Sequence, residues 1–508
     1  MRKLARLLFS RYAICALIIA LELSLFIFIL MLAESFAALI SVSTLLSVTA
    51  LIHLMNKDVN PEYKTSWAVV ILLLPYVGVT FYALFFRRRM TGREIKISRE
   101  IQKRLPTSPR SSQALEELSL EKSTAYGKVR ALLHDDKGAE VYSDTVSEYI
   151  GSGEEYFTRL LNDLASAKRA IYLEYFIIEK GVMWDTILSV LEEKARAGVD
   201  VRVLYDDIGC MKTLPWGYVK HLRSLGISAS VFSRVTPKVT TVHNNRDHRK
   251  IAVIDFKVAY TGGVNLADEY IGAKIRFGHW KDGGVRVEGG AAYGFAKQFL
   301  SIWAYNLRSA DEALIKEDDY SPALSDGGYY VPFGQGPVPL YDSPGKNLFL
   351  NLINQAREYI YVATPYLVID YELTEALCCA AERGVDVRLI TPGIPDKRMV
   401  NVMTKSSYHY LLESGVRIFE YTPGFLHEKL FISDDEFCVI GSINLDYRSL
   451  VHHFEDGLFI YSSPSVVRAK EGFLLTEGES IEITNKSSRL SLREWVIRIL
   501  IKLFAPLL

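Results

Sequence analysis

Two stretches of the chain decide its fold, HRKIAVIDFKVAYTGGVNL (248–266) and HEKLFISDDEFCVIGSINL (427–445). Each begins with a His-x-Lys string, continues through a short apolar run to an aspartate, and ends with small residues before Asn-Leu. Further similar pairs precede them in the same order: AKRAIYLEYFII (167–178) with AREYIYVATPYLV (356–368), and EEKARAGVDVRVL (192–204) with CAAERGVDVRLI (379–390). Because the offsets are all about 180–190 residues, the sequence predicts a duplicated domain.

Each copy has the local pattern of an αβ unit. An apolar run is followed by a polar segment that ends in Gly, and then by a second run rich in β-branched residues. A glycine at a helix end followed by such a run is typical of a helix leading into a strand. The sequence therefore predicts an α/β fold with two sheets related by a pseudo-twofold axis and a site between them.

Each copy carries one H-x-K-x4-D string, and the six residues are His248, Lys250, Asp255, His427, Lys429 and Asp434. Residues two apart on a strand point to the same face, so we expect His and Lys to share a cavity, with the aspartate in a turn at the strand end. A small-residue segment and an asparagine follow each string: Gly262, Gly263 and Asn265, then Gly441, Ser442 and Asn444. Small residues let a ligand approach the backbone closely.

Two His, two Lys and two Asn suit the chemistry of a phosphodiester. Ammonium and amide groups can hold phosphoryl oxygens. One imidazole can attack phosphorus, while the other acts first as acid and then as base. The other carboxylates show no metal-ligand spacing, and no metal or cofactor is indicated. A single string would be weak evidence, but the chain has only ten His, and both strings lie inside repeat copies.

These motifs resemble the phospholipase D superfamily, and the similarity to its bacterial cardiolipin synthase branch covers nearly the whole chain. The segments that carry it include NNRDHRKIAVID, FGHWKDGGVRVEG, PGFLHEKLFISDD and GSINLDYRSL. The resemblance implies that two phosphatidylglycerol molecules become cardiolipin and glycerol. It implies a phosphatidyl-histidine intermediate and no cofactor.

The resemblance also implies roles for individual residues. His248 is expected to form the intermediate and His427 to be the general acid and base, although the near symmetry of the repeats leaves this order open. Lys250, Lys429, Asn265 and Asn444 are expected to bind the phosphoryl group, with Gly263 and Ser442 beside it. Asp255 and Asp434 are expected to orient the motifs, and Asp282 and Glu455 to steady the imidazoles.

One position departs from the pattern of this branch. An asparagine usually precedes the Phe-Glu pair, and His453 stands there in this chain. The departure puts the acceptor in doubt rather than the phosphatidyl transfer.

Three apolar runs near the N-terminus, 12–33, 36–55 and 67–86, are each about the 20 residues needed to cross a bilayer. Basic residues precede the first run, and Arg87, Arg88 and Arg89 follow the third. Basic clusters mark the cytoplasmic side of a membrane protein. The chain could therefore have two or three membrane spans, and we favour a cytoplasmic catalytic part. The last residues form an amphipathic pattern suited either to a membrane surface or to packing on the domain.

We therefore predict the following organisation: 1–89, transmembrane region; 90–125, charged linker; 126–330, first phospholipase D-like repeat; 331–488, second repeat; 489–508, amphipathic C-terminal helix. The expected location is the bacterial cell membrane, with phosphatidylglycerol and membrane lipid as partners. The oligomeric state stays open.

Composition narrows the alternatives. Lys plus Arg and Asp plus Glu both number 59, and this neutral balance argues against a nuclease or another nucleic-acid binder. Five Cys without a CxxC string indicate neither zinc nor a disulfide framework. No G-x4-G-K-[ST] string occurs, so nucleotide use is not indicated. Both motifs are intact, which argues against a non-enzymatic scaffold. A phospholipase D hydrolase, or transfer to another alcohol, remains the alternative.

Overall fold

The computed structural model describes residues 20, 23–24, 27–28, 37–86, 92–121, 123–130, 132–133, 139–234, 245–312, 314–323, 325–336 and 344–484. In this part of the chain, a helical N-terminal unit covers 37–86, and an α/β unit comprises the described residues from 92 onward. Most of the predicted run 12–33 and the predicted helix 489–508 lie outside the described residues.

The N-terminal unit contains helices α1 (Ala37–Met55), α2 (Pro61–Leu73) and α3 (Pro75–Phe85). The predicted run 36–55 corresponds to α1, but the run 67–86 is divided between α2 and α3. Pro75 has no amide hydrogen to continue the first helix, so a second helix begins there. Among the helices that the structure describes, none is both long and apolar enough to cross a membrane.

The α/β unit is built around two large sheets. The strands up to residue 289 are β1 (Thr145–Ile150), β2 (Ala170–Tyr175), β3 (Asp200–Asp206), β4 (Ser228–Phe232), β5 (Lys250–Ile254), β6 (Val258–Gly262), β7 (His279–Lys281) and β8 (Gly284–Gly289). All except β7 form one sheet in the order β1-β8-β6-β5-β2-β3-β4.

The remaining strands are β9 (Tyr329–Gln335), β10 (Tyr359–Ala363), β11 (Leu367–Val368), β12 (Asp386–Pro392), β13 (Arg417–Tyr421), β14 (Gly424–Leu426), β15 (Leu430–Ser433), β16 (Phe437–Gly441), β17 (Leu445–Asp446), β18 (Glu455–Tyr461) and β19 (Ser480–Ile483). The second sheet has the order β19-β13-β12-β10-β15-β16-β18-β9. The predicted repeat boundary at 330 therefore falls inside β9.

Helices complete the unit: α4 (Gly92–Arg104), α5 (Ser111–Glu121), α6 (Ser123–Val129), α7 (Gly153–Ser166), α8 (Val182–Arg196), α9 (Asp207–Cys210), α10 (Tyr218–Ser224), α11 (Gly290–Leu307), α12 (Pro344–Gln355), α13 (Tyr371–Glu382), α14 (Arg398–Glu413) and α15 (Pro464–Gly478). The predicted linker 90–125 is largely helical, and Ile101 and Leu118 bury their side chains. It is thus packed on the unit rather than extended from it.

The duplication is visible in the strand pairing. β2 and β3 pair in parallel across α8, and β10 and β12 do so across α13. Each motif then leads into an antiparallel hairpin, β5-β6 in the first copy and β15-β16 in the second. This arrangement confirms the predicted α/β fold with two sheets. The starts of β5 and β15 carry the two His-x-Lys motifs.

Candidate active site

The two His-x-Lys motifs lie at the starts of β5 and β15. Both histidines precede their strands. We had expected His and Lys to lie two residues apart on the strand itself. Main-chain hydrogen bonds join the repeats here: the His248 amide donates to the Phe454 carbonyl (2.8 Å), and the His427 amide to the Lys281 carbonyl (2.7 Å). The same bond thus occurs with the repeats exchanged, as a twofold relation requires.

Each imidazole contacts a carboxylate from the opposite repeat. His248 Nδ1 lies 2.9 Å from Glu455 Oε2, and His427 Nδ1 lies 2.7 Å from Asp282 Oδ2. Both carboxylates are fully buried and each imidazole residue is 7% exposed. When the Nδ1 hydrogen is donated to the carboxylate, the lone pair of Nε2 stays free to attack phosphorus or to accept a proton. The predicted acid–imidazole contacts are present, and the structure adds that they cross between repeats.

Burial favours the neutral form of both imidazoles. Burial, together with Lys250 and against the attraction of Glu455, lowers the pKa of His248 to about 3. Burial, with Lys429 and Lys250, places the pKa of His427 well below its usual value. A neutral imidazole is the form that can attack phosphorus.

The partner carboxylates differ. Burial raises the pKa of Asp282 to about 6 against the opposing charge of Lys429. Burial also acts to raise the pKa of Glu455, but the charge and hydrogen bond of His248 outweigh it and the pKa lies below the usual value. Glu455 is therefore the firmer negative charge of the two.

Both motif lysines fold back onto their own motif. Lys250 Nζ donates to the His248 carbonyl at 2.6 Å, and Lys429 Nζ donates to the His427 carbonyl. Burial lowers the pKa of Lys250, and it lowers that of Lys429 to about 7 although Asp282 opposes the shift. These buried cations lie beside the imidazoles, where a phosphoryl oxygen would need them.

The small-residue segments contact the two carboxylates and do not line a space for a ligand. A β-carbon at Gly263 would overlap the Asp282 carboxylate, so any larger residue must displace that carboxylate. In the other repeat Ser442 Oγ donates to Glu455 Oε2 at 2.5 Å and accepts from the Asp456 amide at 2.9 Å. Gly263 and Ser442 thus position the two carboxylates.

The two predicted asparagines are buried and bonded within the protein. Asn265 accepts from the Ile177 amide (3.0 Å) and donates to the Tyr270 hydroxyl (2.7 Å). Asn444 Nδ2 donates to Ser449 Oγ (3.1 Å), and its Oδ1 has no hydrogen-bond partner among the described residues. In this structure the amides order the loops around the site.

Asp255 and Asp434, which were expected to lie in turns and orient the motifs, bind main-chain amides and make no contact with the imidazoles. Both lie in the turns after β5 and β15, with φ of 53° and 57°. Their carboxylates accept amide hydrogens from 168–170 and 357–359, the residues entering β2 and β10. A short side chain that satisfies three consecutive amides anchors the neighbouring strand, so these residues fix the hairpins.

The surroundings of the imidazoles include residues that the motifs did not predict. The His427 ring lies 5.7 Å, between ring centres, from each of Tyr270, Trp280 and Phe425. Trp280 lies two residues before Asp282 in the segment FGHWKDGG, and this proximity could have predicted that its ring lies near the site. No periodic pattern marks Phe425 or Tyr270.

His453, which stands where the family pattern has an asparagine, lies beside the first motif. Its ring centre is 5.6 Å from that of His248, and Nδ1 is 3.6 Å from Glu455 Oε1. Donor atoms of His248, His453 and Glu455 lie within 4.8 Å of one another, which makes them the set in the described residues that could ligate a metal ion. Ligation there would engage the His248 imidazole itself.

The duplicated sheets and the paired motifs define a protein of the phospholipase D superfamily. Residues 160–274 and 349–474 match the family described as "Cardiolipin synthase, PLD-like domain", and residues 45–86 match "Phospholipase_D-nuclease N-terminal". A solved phosphatidylserine synthase from Haemophilus influenzae shares the fold, with a TM-score of 0.55 and 18% identity over 71% of this chain and 93% of its own.

Full-length relatives narrow the class. A cardiolipin synthase of Halalkalibacterium halodurans is 32% identical over 93% of this chain and 94% of its own, and one of Geobacillus is 34% identical over 91% of each. An uncharacterised protein of Streptococcus mutans is 39% identical over 91% of this chain and 100% of its own. The chain belongs to the cardiolipin synthase family.

Proposed function

We propose that the chain joins two phosphatidylglycerol molecules into cardiolipin and releases glycerol. The anionic phosphodiester favours the imidazolium form of His427, with one hydrogen on Nδ1 toward Asp282 and one on Nε2. His248 Nε2 attacks phosphorus of the first lipid, the bond from phosphorus to the headgroup oxygen breaks, and His427 gives its Nε2 proton to the departing glycerol and becomes neutral. His427 then takes the proton from a headgroup hydroxyl of the second lipid. The freed oxygen attacks phosphorus, and the bond to His248 breaks.

The observation that carries this proposal is the crossed pairing of each motif imidazole with a carboxylate of the other repeat. Neither repeat can assemble the reacting groups alone. The two imidazoles, with a buried lysine beside each, supply one neutral nucleophile and one proton carrier.

The two carboxylates support one order of the imidazoles over the other. A phosphatidyl group on an imidazole leaves that ring positively charged, and an ionised carboxylate stabilises this charge. Glu455 has its pKa lowered, whereas that of Asp282 is raised to about 6. The difference supports His248 as the nucleophile and His427 as acid and base.

Lys250 and Lys429 supply the charge for the phosphoryl oxygens, with Asn265 and Asn444 ordering the loops that enclose them. No metal or nucleotide enters this scheme. Phosphatidylglycerol is the lipid substrate of both half-reactions, and a second copy of the same lipid is the acceptor.

We assign the chain to the bacterial cell membrane as a multi-pass protein with a cytoplasmic catalytic part. The apolar runs 12–33, 36–55 and 67–86 and the arginines after the last run support this assignment. Reporter fusions after residue 89 and at the C-terminus test it. Both should give cytoplasmic signals, and an external signal at either point would contradict the topology.

Hydrolysis, or transfer to another alcohol, is the alternative, because the same intermediate can react with water. The deciding experiment uses purified protein in mixed micelles with phosphatidylglycerol as the only phospholipid and no added metal. Cardiolipin and glycerol in equal amounts, lost in His248→Ala and in His427→Ala, is the expected result. Phosphatidic acid as the main product would assign hydrolysis instead. No product from folded protein would point to another acceptor or donor, with His453 the first position to vary.

A further inference from the structure

Three connecting segments of the α/β unit expose large apolar side chains. They are residues 207–217, 272–278 and 393–399, which we call the rim. Trp216 is 98% exposed and Ile275 is 88% exposed. The other exposed large apolar residues of the rim are Ile208, Met211, Ile394 and Met399. Single exposed apolar residues are ordinary on a protein surface, but a group of six in three neighbouring segments indicates a binding surface.

The rim lies at the sheet edges that carry the two motifs. Tyr175, at the end of β2, pairs both with β3 and with Lys250 of β5, so the chain leaves β3 beside the first motif. Ala363, at the end of β10, makes the same two pairings with β12 and β15. Residues 272–278 lead into β7, which pairs with β14 directly before His427. All three segments therefore begin or end beside the candidate active site.

The segment 207–217 packs against the first motif. The backbone of Gly209 lies so close to Phe176 that a β-carbon at Gly209 would overlap the Phe176 carbonyl oxygen. The Phe176 ring in turn lies 4.9 Å, between ring centres, from that of His248. One residue therefore separates this segment from the imidazole.

The other two segments reach the second motif through aromatic rings. The ring of Phe277 lies 6.3 Å from that of Phe425, which is a ring neighbour of His427. Lys397 Nζ donates to the Tyr366 hydroxyl at 3.1 Å, and the Tyr366 ring lies 6.4 Å from the same Phe425 ring. The rim thus surrounds both imidazoles.

The rim is basic although the whole chain is neutral. Its charged residues are Lys212, Lys274, Arg276, Lys397 and Arg398 against Asp207 and Asp396. All five cations are exposed, whereas the carboxylates that pair with three of them, Glu179, Glu269 and Asp396, are buried or half-buried. The outermost charges are therefore positive. Exposed cations beside exposed apolar side chains fit the surface of a bilayer that contains anionic lipid.

We propose that the rim binds the surface of an anionic bilayer, with its apolar side chains among the lipid headgroups and its cations at the lipid phosphates. The candidate active site then faces the bilayer, and a lipid reaches either imidazole without crossing open water. The choice of phosphatidylglycerol as the anionic lipid rests on the proposed function, but the binding itself requires no reaction.

Fluorescent labels on the full chain in phosphatidylglycerol vesicles test the proposal. The parent protein is the Cys15→Ser, Cys379→Ser variant, whose remaining cysteines are buried. Trp216→Cys, Ile275→Cys and Met399→Cys each supply one labelling site. We expect a spin-labelled lipid chain to quench each rim label at least twofold more than a control label, because the rim side chains enter the headgroup region. Iodide in the water should quench the rim labels less than the control.

Val467→Cys supplies the matched control label. Val467 is an exposed apolar residue of α15, one turn before Lys470. Lys470 binds Asp435 in the turn between β15 and β16, at the opposite end of these strands from the second motif. The Val467 label should therefore stay in water, open to iodide and quenched little by the lipid.

The charge of the rim is tested separately. Lys397→Glu with Arg398→Glu should lower the lipid quenching of the Ile275 label at least twofold, and so should phosphatidylcholine vesicles or high salt. Lys257→Glu, in the turn after β5, is the matched charge reversal away from the rim and should leave the quenching unchanged. Quenching that ignores both the rim charges and the lipid charge would contradict binding to an anionic surface.

Rim labels as open to iodide as the control label would overturn the proposal. Rim labels shielded from iodide but not quenched by lipid would assign the rim to a protein contact, such as a second copy of the chain, and would overturn it as well. Circular dichroism identifies a variant that fails to fold, and the remaining rim labels then decide.

The same labels in the His248→Ala protein separate this surface from the proposed reaction. Lipid quenching of the rim in a chain that makes no cardiolipin even with His248 intact would contradict the proposed function and support the surface. Cardiolipin synthesis by a chain whose rim labels all stay in water would contradict the surface alone.

Discussion

The two motifs present the same reacting groups in different surroundings. His248 has Phe176 and His453 as ring neighbours, whereas His427 has three large aromatic rings around it. Arg246, paired with Asp206 beneath the first motif, has Phe425 as its counterpart in the second. The duplication kept what reacts and changed what surrounds it, so we expect the halves to respond differently to equivalent substitutions.

The largest effect concerns the imidazoles. With phosphatidylglycerol, His248→Ala and His427→Ala should each lower kcat by about 10³-fold or more, since each removes the nucleophile or the proton carrier. A phosphatidyl ester of p-nitrophenol separates them, because its leaving group needs no proton. We expect His427→Ala to release one equivalent of nitrophenol in a burst and to hold the lipid on the protein, and His248→Ala to do neither.

The surface imidazole of His409 provides the control. It lies on α14 beside Glu413, and His409→Ala should retain full turnover. A burst in His248→Ala and none in His427→Ala would reverse the assigned order of the two halves.

The carboxylates should separate activity from stability. Glu455→Gln and Asp282→Asn should each lower kcat by about 10²–10⁴-fold, because both remove the charge that holds and stabilises an imidazole. Their stabilities should move in opposite directions at pH 7. The pKa of Asp282 is raised to about 6, so folding favours its protonated form and the ionised form is a cost above that pH.

Asp282→Asn removes that cost and should stabilise the protein by about 1–3 kcal/mol at pH 7, with no gain below pH about 4. The pKa of Glu455 is lowered, so its ionised form supports folding and Glu455→Gln should destabilise at pH 7. Denaturant unfolding at pH 7 and pH 4 measures both. Equal destabilisation by the two variants would show that the halves are electrostatically equivalent.

The small residues beside the carboxylates should show a smaller contrast. Gly263→Ala places a β-carbon within 2.0 Å of Asp282 Oδ1 and must displace that carboxylate, so kcat should fall about 10–100-fold. Ser442→Ala removes one hydrogen bond to Glu455, which is worth about 1 kcal/mol, or roughly fivefold. Steady-state kinetics of both variants checks this order, and Ser442→Gly serves as the matched control for chain flexibility. A harmless Gly263→Ala would show that Asp282 has room to move.

The sequence carried the motifs, the duplication and the α/β class, because each rests on local pattern: His-x-Lys spacing, a glycine after a helix, an aspartate in a turn. It also marked Asp282 and Glu455. It did not show which imidazole each carboxylate would reach, since that depends on two pairings across the repeats, β7 with β14 and Asp247 with Phe454. The strings placed Asp255 and Asp434 in turns, but they did not show that these carboxylates bind the amides entering β2 and β10, which are distant in sequence.

The pH response of the second motif is a further difference between the two halves. Burial lowers the pKa of Lys429 to about 7, so the free enzyme loses this positive charge as the pH rises through that value. Phosphoryl binding then weakens, and kcat/KM should fall up to tenfold per pH unit above 7. Lys429→Arg keeps its charge throughout this range. The kcat/KM of this variant should be lower at pH 7, because the larger guanidinium fits less well, but it should stay constant from pH 7 to 9. If kcat/KM falls in parallel in both proteins, the group that titrates is not Lys429.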